Sequence, residues 1–440
     1  MKVRASLRAI GSQTMTKEPT RLPFGLSLET LRSYAALLTG QVGRLVFSLI
    51  YFLALMKALT LAEFGMFATA SAIGVTLSRV AAFGFVSPLY RTSCVRRRLL
   101  GSYIAGYGAA LLLSLPLCAA IAWAAHAALY GEGFALSAFA CIMVAEIILW
   151  RTSEVLVIVA NGLNRFLRGS LVVIFSTATR AAAALLLVAH SSPDLAVWSF
   201  HYLVANAVVL AVSLVVLLPR ARPRWTPGVW IARWRDALGV AGAELVFYAQ
   251  SELDRVLVLA VGGPAMAGLY SVLLRLADFT AIPLRSLMTL LIQAIMRARG
   301  RMRARGFWIG LEAAIFAVSA LAMGALAILA GHAPPSLGEN VALAAGFLPL
   351  ALLLPGFRNL VELHTELLYA FERPVERLVQ LIGVGLSKAA LLILLLAQVA
   401  DFAPFVWWLN ALFATLYAIS ALYTYRTLAS QPRVTDPRPA

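Results

Sequence analysis

The fold of this chain is decided by residues 252–278, which read ELDRVLVLAVGGPAMAGLYSVLLRLAD. The stretch holds two apolar segments joined by a turn of Gly262, Gly263 and Pro264, and each segment carries acidic and arginine side chains close together. Charged side chains are expensive inside membrane-length apolar segments, so they indicate sites with a role. The stretch therefore predicts two membrane-spanning helices with charges in their interior.

The composition of the whole chain is that of a membrane protein. Of its 440 residues, 61% are hydrophobic and 13% are charged, and the mean hydropathy is +0.85. A soluble domain carries roughly 25% charged residues. Apolar runs of about 20 residues recur from Ser33 to Arg426, and helices satisfy their own backbone hydrogen bonds within a bilayer. The predicted fold class is therefore an all-α polytopic membrane protein.

Twelve transmembrane helices are predicted, in two parallel six-helix lobes around a central cavity. The N-lobe covers 33–219 and the C-lobe 237–426, with a basic connector at 220–236 and tails at 1–32 and 427–440. The predicted spans are 33–57, 63–87, 99–123, 134–159, 170–190 and 197–219 in the N-lobe, and 238–261, 266–293, 307–331, 341–371, 375–397 and 404–425 in the C-lobe.

The basic residues predict the orientation. Most of the 37 Lys and Arg residues lie in the two tails, the connector and alternate loops, and the opposite loops hold none. By the positive-inside rule, both termini are expected to be cytoplasmic. The net charge of +17 is then explained by topology and by contacts with anionic lipids. Nucleic acid is not an expected partner, because no folded soluble module presents these residues.

An internal repeat supports the division into two lobes. Three pairs of segments match at an offset of about 203–208 residues. Because six spans return the chain to the same side of the membrane, the repeats are parallel, about an axis along the membrane normal. This arrangement is typical of a transporter. The matched segments are Gly65-Met-Phe with Gly268-Leu-Tyr, Arg151 with Arg358, and Thr179–Leu187 with Ser387–Leu395.

Several motifs resemble those of the Wzx-type polysaccharide flippases, within the superfamily that also holds multidrug exporters and lipid II flippases. The resemblance covers residues 30–426. The order and spacing of the motifs, together with the twelve-span topology, carry this resemblance. The motifs are Leu61-Ala-Glu-Phe-Gly-Met-Phe67, Phe83-Gly-Phe-Val-Ser-Pro-Leu-Tyr-Arg91, and a group of Asp254-Arg255, Gly268-Leu-Tyr270, Arg275-Leu276 and Pro283.

This resemblance implies that the chain moves an undecaprenyl-pyrophosphate-linked oligosaccharide from the cytoplasmic to the periplasmic leaflet by alternating access. It implies a role in exopolysaccharide, O-antigen or capsule synthesis, with polysaccharide polymerase or chain-length machinery as possible partners. Lipid II flippases usually carry two further C-terminal spans, which are not found in this sequence.

The charges inside the predicted spans divide unequally between the lobes. The N-lobe has five basic and two acidic side chains there, whereas the C-lobe has five basic and seven acidic ones. Helical spacing of three or four residues lets some of these charges pair on one face. The predicted pairs are Arg151–Glu154, Glu252–Arg255, Arg275–Asp278 and Arg358–Glu362.

Three N-lobe arginines, Arg44, Arg79 and Arg180, have no acid within four positions. Polar stripes on facing helices predict a hydrated cavity, and the planar guanidinium suits bidentate contact with phosphate. We predict that these three arginines, together with Gln41, bind the pyrophosphate or anionic sugars. The alternative is that the arginines pair with acids on other helices or reach the surface. The stripes are Gln41, Arg44, Ser48 and Tyr51 in span one, and Thr69, Thr76 and Arg79 in span two.

Other intramembrane charges are predicted to have secondary roles. An acid pair near one end of a span can titrate and couple an ion gradient to conformational change. For the same acids, the alternative is an ion cluster that stabilises the C-lobe. Candidates for the cavity wall are Arg151, Arg255, Arg275, Arg358 and Lys388, and candidates for ion coupling or stabilisation are Asp254, Glu252, Asp278 and Glu362.

Two other function classes remain open. A multidrug cation antiporter of the same superfamily would want a carboxylate in the N-lobe cavity, whereas span one holds Arg44 and no acid. A membrane enzyme, such as an O-antigen polymerase or ligase, would need catalytic groups on a sizeable outer loop. No such loop, catalytic constellation or metal-ligand spacing is found, and Cys94, Cys118 and Cys141 give none. The prediction is a transporter without catalytic residues, metal or cofactor.

Overall fold

The computed structural model describes residues 28–297, 305–332 and 338–430. The chain divides into two compact units, residues 1–42 and residues 43–440. The first unit is described only over the helical residues 28–42, without their side chains. Most of the two predicted tails, and the side chain of Gln41, therefore lie outside the described residues. The lobes are described below from residue 43 onward.

All regular structure in the described residues is helical. The helices alternate with short turns, as expected for a bundle that crosses a membrane repeatedly. In chain order they are α1 (Leu28–Ala58), α2 (Leu61–Val80), α3 (Val86–Val95), α4 (Leu100–Leu129), α5 (Leu136–Val144), α6 (Arg151–Gly162), α7 (Phe166–Val188), α8 (Leu195–Leu217), α9 (Pro227–Arg297), α10 (Arg305–Gly331), α11 (Glu339–Phe347), α12 (Leu354–Ala370), α13 (Pro374–Gln398) and α14 (Phe402–Ala429).

The all-α polytopic fold class is confirmed. In the part of the chain that the structure describes, eight helices are long and apolar enough to cross a membrane, and nine if α11 and α12, which meet at a bend of 67°, form one span. One of the eight, Ile231–Ile282 in α9, takes in the predicted span 238–261 and most of the span 266–293 on the other side of Gly263. The number of twelve spans stays a prediction.

Helix α9 contains the hairpin predicted around Gly262–Pro264. Gly263 adopts φ +80° and ψ 176°, a backbone conformation that favours glycine. The Tyr270 hydroxyl donates to Asp254 Oδ2 at 2.8 Å. Sixteen residues of straight helix would separate these positions by about 24 Å, so the chain reverses at Gly263. The helix begins at Pro227, so it takes in much of the predicted connector.

The start of α2 shows how local sequence sets a helix boundary. Thr60 and Glu63 form a capping box, in which the Glu63 amide donates to Thr60 Oγ1 at 3.2 Å and the Thr60 amide donates to Glu63 Oε2 at 2.9 Å. The other Glu63 oxygen accepts from the amide of Leu195 at 3.2 Å. Glu63 therefore helps to cap the start of α2 and also connects α2 to α8 by a hydrogen bond.

The turns between the membrane-length helices lie at two ends of the helix bundle. We call the end that carries most of the arginines the Arg-rich end, and the other the opposite end. The Arg-rich end holds residues 91–98, 165–168, 220–235 and 373–377, and the opposite end holds residues 58–61, 129–136, 189–195, 262–264 and 398–402.

The lobes touch at both ends. At the opposite end, α2 lies against α9 at Gly65 and Gly268. At the Arg-rich end, a Cβ on Gly84 would lie 2.2 Å from the carbonyl oxygen of Ala237. Between α2 and α3 the residues Ala82 and Phe83 have φ of 57° and 47°, and the Ala82 amide donates to Ser114 Oγ at 2.9 Å. Span two is therefore broken where it meets the C-lobe.

The two lobes also share an irregularity. A π-helical segment, Ala145–Trp150, joins α5 to α6, and a 3-10 turn, Leu348–Ala351, precedes α12. Both begin at the same place in the repeat, at an offset of about 203 residues. The largest apolar cluster runs through both lobes, from Phe67 and Trp198 to Tyr270 and Phe405.

Candidate functional site

A group of arginines lies between the lobes. Arg44 is exposed, and it makes no ion pair or hydrogen bond with any residue that the structure describes. Ser48, one turn further along the same helix, accepts a hydrogen bond from Arg275 of the C-lobe, and Arg275, Arg180 and Arg285 are charges that repel Arg44. Arg180 belongs to α7 of the N-lobe, and the other two belong to α9 of the C-lobe. Arg44 therefore faces the space between the lobes. We call Arg44, Arg180 and Arg275 the central arginines.

The other two central arginines are held by neutral groups. Arg180 donates from Nη2 to Asn206 Oδ1 at 2.9 Å, and its guanidinium lies 5.6 Å from the ring centre of Tyr202. Arg275 donates from Nη2 to Ser48 Oγ at 2.8 Å. Among the described residues, neither forms an ion pair within 4.0 Å. The positive charge of this group is therefore not neutralised by direct acidic contacts, and the group can attract an anion.

A buried carboxylate lies near Arg180, because both contact Tyr202. Glu146, only 2% exposed, is on the π-helical segment, and its Oε1 accepts from Ser71 at 2.6 Å and from Tyr202 at 2.7 Å. π-helical turns are rare and frequent at functional sites. Sequence reasoning gave Glu146 no role. The signal that could have found it is an intramembrane acid with no basic residue three or four positions away.

Arg79 lies in a different place, in a cluster near the Arg-rich end. Arg79 Nη1 donates to Glu154 Oε2 at 2.9 Å, and Arg151 Nη1 donates to the same oxygen at 2.6 Å. Arg151 Nη2 donates to Glu244 Oε2 at 3.1 Å. The guanidinium of Arg79 also lies 4.0 Å from the ring centre of Tyr248. We call Arg79, Arg151, Glu154 and Glu244 the arginine–glutamate cluster.

In this cluster Arg79 is not unpaired. Its side chain is buried and paired with Glu154 on another helix, as in the alternative given for these arginines. Binding of pyrophosphate by Arg79 stays a prediction. Thr69 and Thr76, predicted to share its cavity-lining stripe, are buried, and their hydroxyls donate to Gly65 O and Ala72 O of their own helix. The predicted pair Arg151–Glu154 is confirmed. Its link to Glu244 of the C-lobe was not predicted.

The charges of the C-lobe are largely compensated. Asp254 accepts from Lys388 Nζ at 2.9 Å and from Tyr270, and Lys388 also donates to the carbonyl oxygen of Gln250 at 2.5 Å. The predicted pair Glu252–Arg255 is confirmed at 2.5 Å. These contacts agree with the stabilising role weighed for Asp254 and Glu252. Ion coupling by these residues stays a prediction.

Two predicted pairs of the C-lobe are wrong. Asp278 pairs with Arg358 at 3.1 Å and with Arg285 at 3.2 Å, and Glu362 pairs with Arg285 at 2.9 Å. Arg275, which faces Ser48, therefore has no ion-pair contact with Asp278, and Arg358 has none with Glu362. Arg285 and Arg358 approach Asp278 from two helical segments, so tertiary contacts override spacing along one helix. Arg285, Arg358, Glu362, Asp254 and Lys388 line a cavity of about 170 Å³.

The fold was compared with known proteins. No family model matches the chain, and no curated protein is significantly similar to it in sequence. Solved structures match nearly its whole length. The lipid II flippase MurJ, in an inward closed conformation, has a TM-score of 0.63 at 14% identity over 90% of this chain and 88% of that one.

Two further transporter structures are also similar. An inward-facing multidrug resistance MATE family transporter of the MOP superfamily has a TM-score of 0.58 at 13% identity, over 92% of this chain and 96% of that chain. A MOP superfamily transporter from Pyrococcus furiosus, described with a binding pocket of reverse polarity, has a TM-score of 0.50 at 13% identity, over 91% and 95%. The chain therefore has a two-lobe, all-helical fold similar to that of these transporter structures.

Proposed function

We propose that this protein is a flippase for an oligosaccharide linked to undecaprenyl pyrophosphate, and not an enzyme. The observation that carries the proposal is the group of central arginines, since Arg275 contacts α1 at Ser48, one turn from Arg44, and Arg44, Arg180 and Arg275 form no ion pair among the described residues. Arginines that line a hydrated cavity within a membrane protein mark a path for a substrate or an ion. A pyrophosphate supplies the opposite charge and suits the guanidinium fork.

The proposed mechanism follows from the two-lobe fold. The headgroup enters between the lobes and its pyrophosphate binds the central arginines, while the polyprenyl tail stays in lipid. Rocking of one lobe against the other then exposes the headgroup to the other leaflet, as in other transporters built from repeats. No covalent step is needed. In this proposal the Arg-rich end faces the cytoplasm of a bacterial inner membrane, as the positive-inside rule predicts.

A multidrug cation antiporter is the second candidate, because it has the same fold and because Glu146 is a buried N-lobe acid. Such a transporter would hold a cation near this acid. Three arginines nearby repel a cation more strongly than one carboxylate attracts it. The charge of the site therefore favours an anionic substrate.

The test is transport by the purified protein in proteoliposomes that contain a fluorescent, short-chain analogue of an undecaprenyl-pyrophosphate-linked sugar. We expect transbilayer movement with the unaltered protein, and rates lower by about tenfold or more with Arg44→Gln and Arg180→Gln, since each removes charge-assisted hydrogen bonds to the substrate. Lys57→Gln is the matched control, because it removes one positive charge from an exposed position of the same helix as Arg44.

Two results would contradict the proposal. One is normal movement of the analogue by Arg44→Gln and Arg180→Gln together. The other is transport of a cationic dye that the analogue does not inhibit. In cells, deletion of the gene is expected to trap full-length repeat units on the cytoplasmic side; truncated repeat units would indicate a transferase.

A further inference from the structure

The arginine–glutamate cluster joins the two lobes at the Arg-rich end. Arg79, Arg151 and Glu154 belong to the N-lobe, whereas Glu244 is on α9 of the C-lobe. The two arginines are 3% and 1% exposed, and Glu154 and Glu244 are 27% and 35% exposed. The cations therefore lie at the bottom of the cluster, and the carboxylates cover them from the open side.

The arginines have more donors than the carboxylates use. Each guanidinium carries five N–H groups. Arg79 Nε and Nη2 and Arg151 Nε are buried and have no hydrogen-bond partner among the described residues. A buried donor without a partner is unfavourable, so this arrangement leaves the arginines partly unsatisfied. A ligand with more acceptor oxygens than one carboxylate would satisfy them better.

A phosphate-bearing headgroup fits these requirements. A pyrophosphate presents more negative charge and more acceptor oxygens than a carboxylate, and arginine binds it through paired N–H groups. Its natural point of entry is the side on which Glu154 and Glu244 are partly exposed. The position that such an anion would take is now occupied by Glu244, which comes from the other lobe.

We propose that Arg79 and Arg151 form an entry site for a phosphate-bearing headgroup, and that Glu244 is its internal competitor. Binding of the anion displaces Glu244 from Arg151, which breaks the ion pair between the lobes and lets them separate at the Arg-rich end. This inference rests on the proposed function. It adds a second anion site, separate from the central arginines. It also explains how the substrate itself causes the lobes to separate.

Substitution of Glu244 should change the affinity for pyrophosphate in a definite direction. Removing the Glu244 carboxylate should strengthen binding of the anion. The anion then no longer has to shift the protein away from the closed state, in which Glu244 pairs with Arg151. We expect Glu244→Gln to bind inorganic pyrophosphate about tenfold more tightly than the unaltered protein, and Arg79→Gln to bind it about tenfold more weakly. Isothermal titration calorimetry on the full chain in nanodiscs measures both. Glu244→Asp, which keeps the charge but shortens the side chain, should lie between the unaltered protein and Glu244→Gln.

Asp236→Asn is the matched control. It also replaces an α9 acid by its amide near the Arg-rich end, and it breaks only the exposed pair Arg233–Asp236. We expect it to leave pyrophosphate affinity unchanged. The affinity for farnesyl pyrophosphate is compared with that for free pyrophosphate to distinguish a lipid headgroup from a soluble anion, and farnesol is the uncharged reference. Tighter binding of farnesyl pyrophosphate than of free pyrophosphate supports a headgroup site. Farnesol binding as tightly as farnesyl pyrophosphate overturns the inference.

A distance measurement tests the separation of the lobes. Spin labels on Cys94 and on Val375→Cys, both exposed at the Arg-rich end, report the distance between the lobes once Cys118 and Cys141 are replaced by Ala. We expect pyrophosphate to lengthen this distance, and Glu244→Gln to show the longer distance without ligand. Equal affinity and equal distance in Glu244→Gln and the unaltered protein would overturn the inference.

The outcomes separate the two proposals. If Arg44→Gln abolishes flipping while Glu244→Gln leaves pyrophosphate affinity unchanged, the flippase stands and the entry site falls. If Glu244→Gln tightens binding but no lipid-linked sugar is moved, the anion site stands and the flippase falls.

Discussion

Gly65 and Gly268 occupy equivalent positions in the repeat and lie against each other's helices. A Cβ on Gly65 would lie 2.1 Å from the carbonyl oxygen of Pro264, and a Cβ on Gly268 would lie 2.1 Å from the carbonyl oxygen of Leu61. Leu61 and Pro264 are themselves equivalent in the repeat. The contact is therefore reciprocal, and it holds the backbones of α2 and α9 at a separation that only glycine allows.

The first prediction concerns this contact. Gly268→Ala places a methyl group against backbone, which cannot move aside as a side chain would. We expect the change to separate α2 from α9 and to lower the stability by about 1–3 kcal/mol, as overpacking does. Thermal unfolding in detergent measures the loss. Gly108→Ala is the control, because nothing lies within 4 Å of its added Cβ; equal melting temperatures for the two variants would show that the contact is not tight.

The second prediction concerns the broken part of span two. Ala82 has φ of 57°, a left-handed conformation that costs a residue with a Cβ about 1–2 kcal/mol. Ala82→Gly should therefore raise stability by about 1 kcal/mol. Ala110→Gly, buried in the regular helix α4, should lower it by about 1 kcal/mol, because glycine weakens a helix interior. A lower melting temperature for Ala82→Gly would contradict the assigned backbone.

The third prediction concerns the buried pair Asp254–Lys388. Lys388→Met leaves the Asp254 carboxylate buried without its cation, which should cost about 3–5 kcal/mol. The double variant Asp254→Asn/Lys388→Met removes both charges and should recover most of the loss. The more exposed pair Arg373–Glu376 provides the comparison, since Arg373→Met should cost no more than about 1 kcal/mol. If the double variant is no more stable than Lys388→Met, the pair is not the source of the effect.

The fourth prediction concerns Glu146. Glu146→Leu leaves the hydroxyls of Ser71 and Tyr202 without their acceptor, at a cost of about 1–3 kcal/mol. Glu146→Gln keeps an acceptor oxygen at this position and should cost less. Unfolding of both variants is compared with that of Tyr202→Phe. Similar stability in Glu146→Leu and Glu146→Gln would mean that the two hydrogen bonds contribute little.

Hydrophobic periodicity and the basic loops were enough to place the helices, because lipid requires long apolar segments at regular intervals. The side-chain pairs were less predictable. Spacing along one helix identified Arg151–Glu154 and Glu252–Arg255, but it said nothing about partners on other helices. Asp278 had Arg275 within reach on its own helix and is paired instead with Arg285 and Arg358.

Backbone irregularities were hidden for a different reason. The left-handed residues Ala82 and Phe83 are not glycine, so only Gly84, with φ of 72°, marks the break in the sequence. The π-helical segment at Ala145–Trp150 has an ordinary apolar sequence around Glu146. The partner of Arg79 was also hidden, since Glu154 lies on another span and is shared with Arg151.

The irregular segments in the fourth and tenth predicted spans mark a difference in length between the two halves. The repeat offset is about 203 residues at Gly65 and Gly268 and at the start of both irregular segments, and about 207 residues at Arg151 and Arg358. The C-lobe therefore holds about one more helical turn between these points, where its helix bends by 67°. Arg151 contacts the other lobe, whereas Arg358 pairs with Asp278 of its own lobe. The extra turn thus accompanies a loss of symmetry, in which matched arginines of the repeat serve the joint between the lobes in one half and the interior of a lobe in the other.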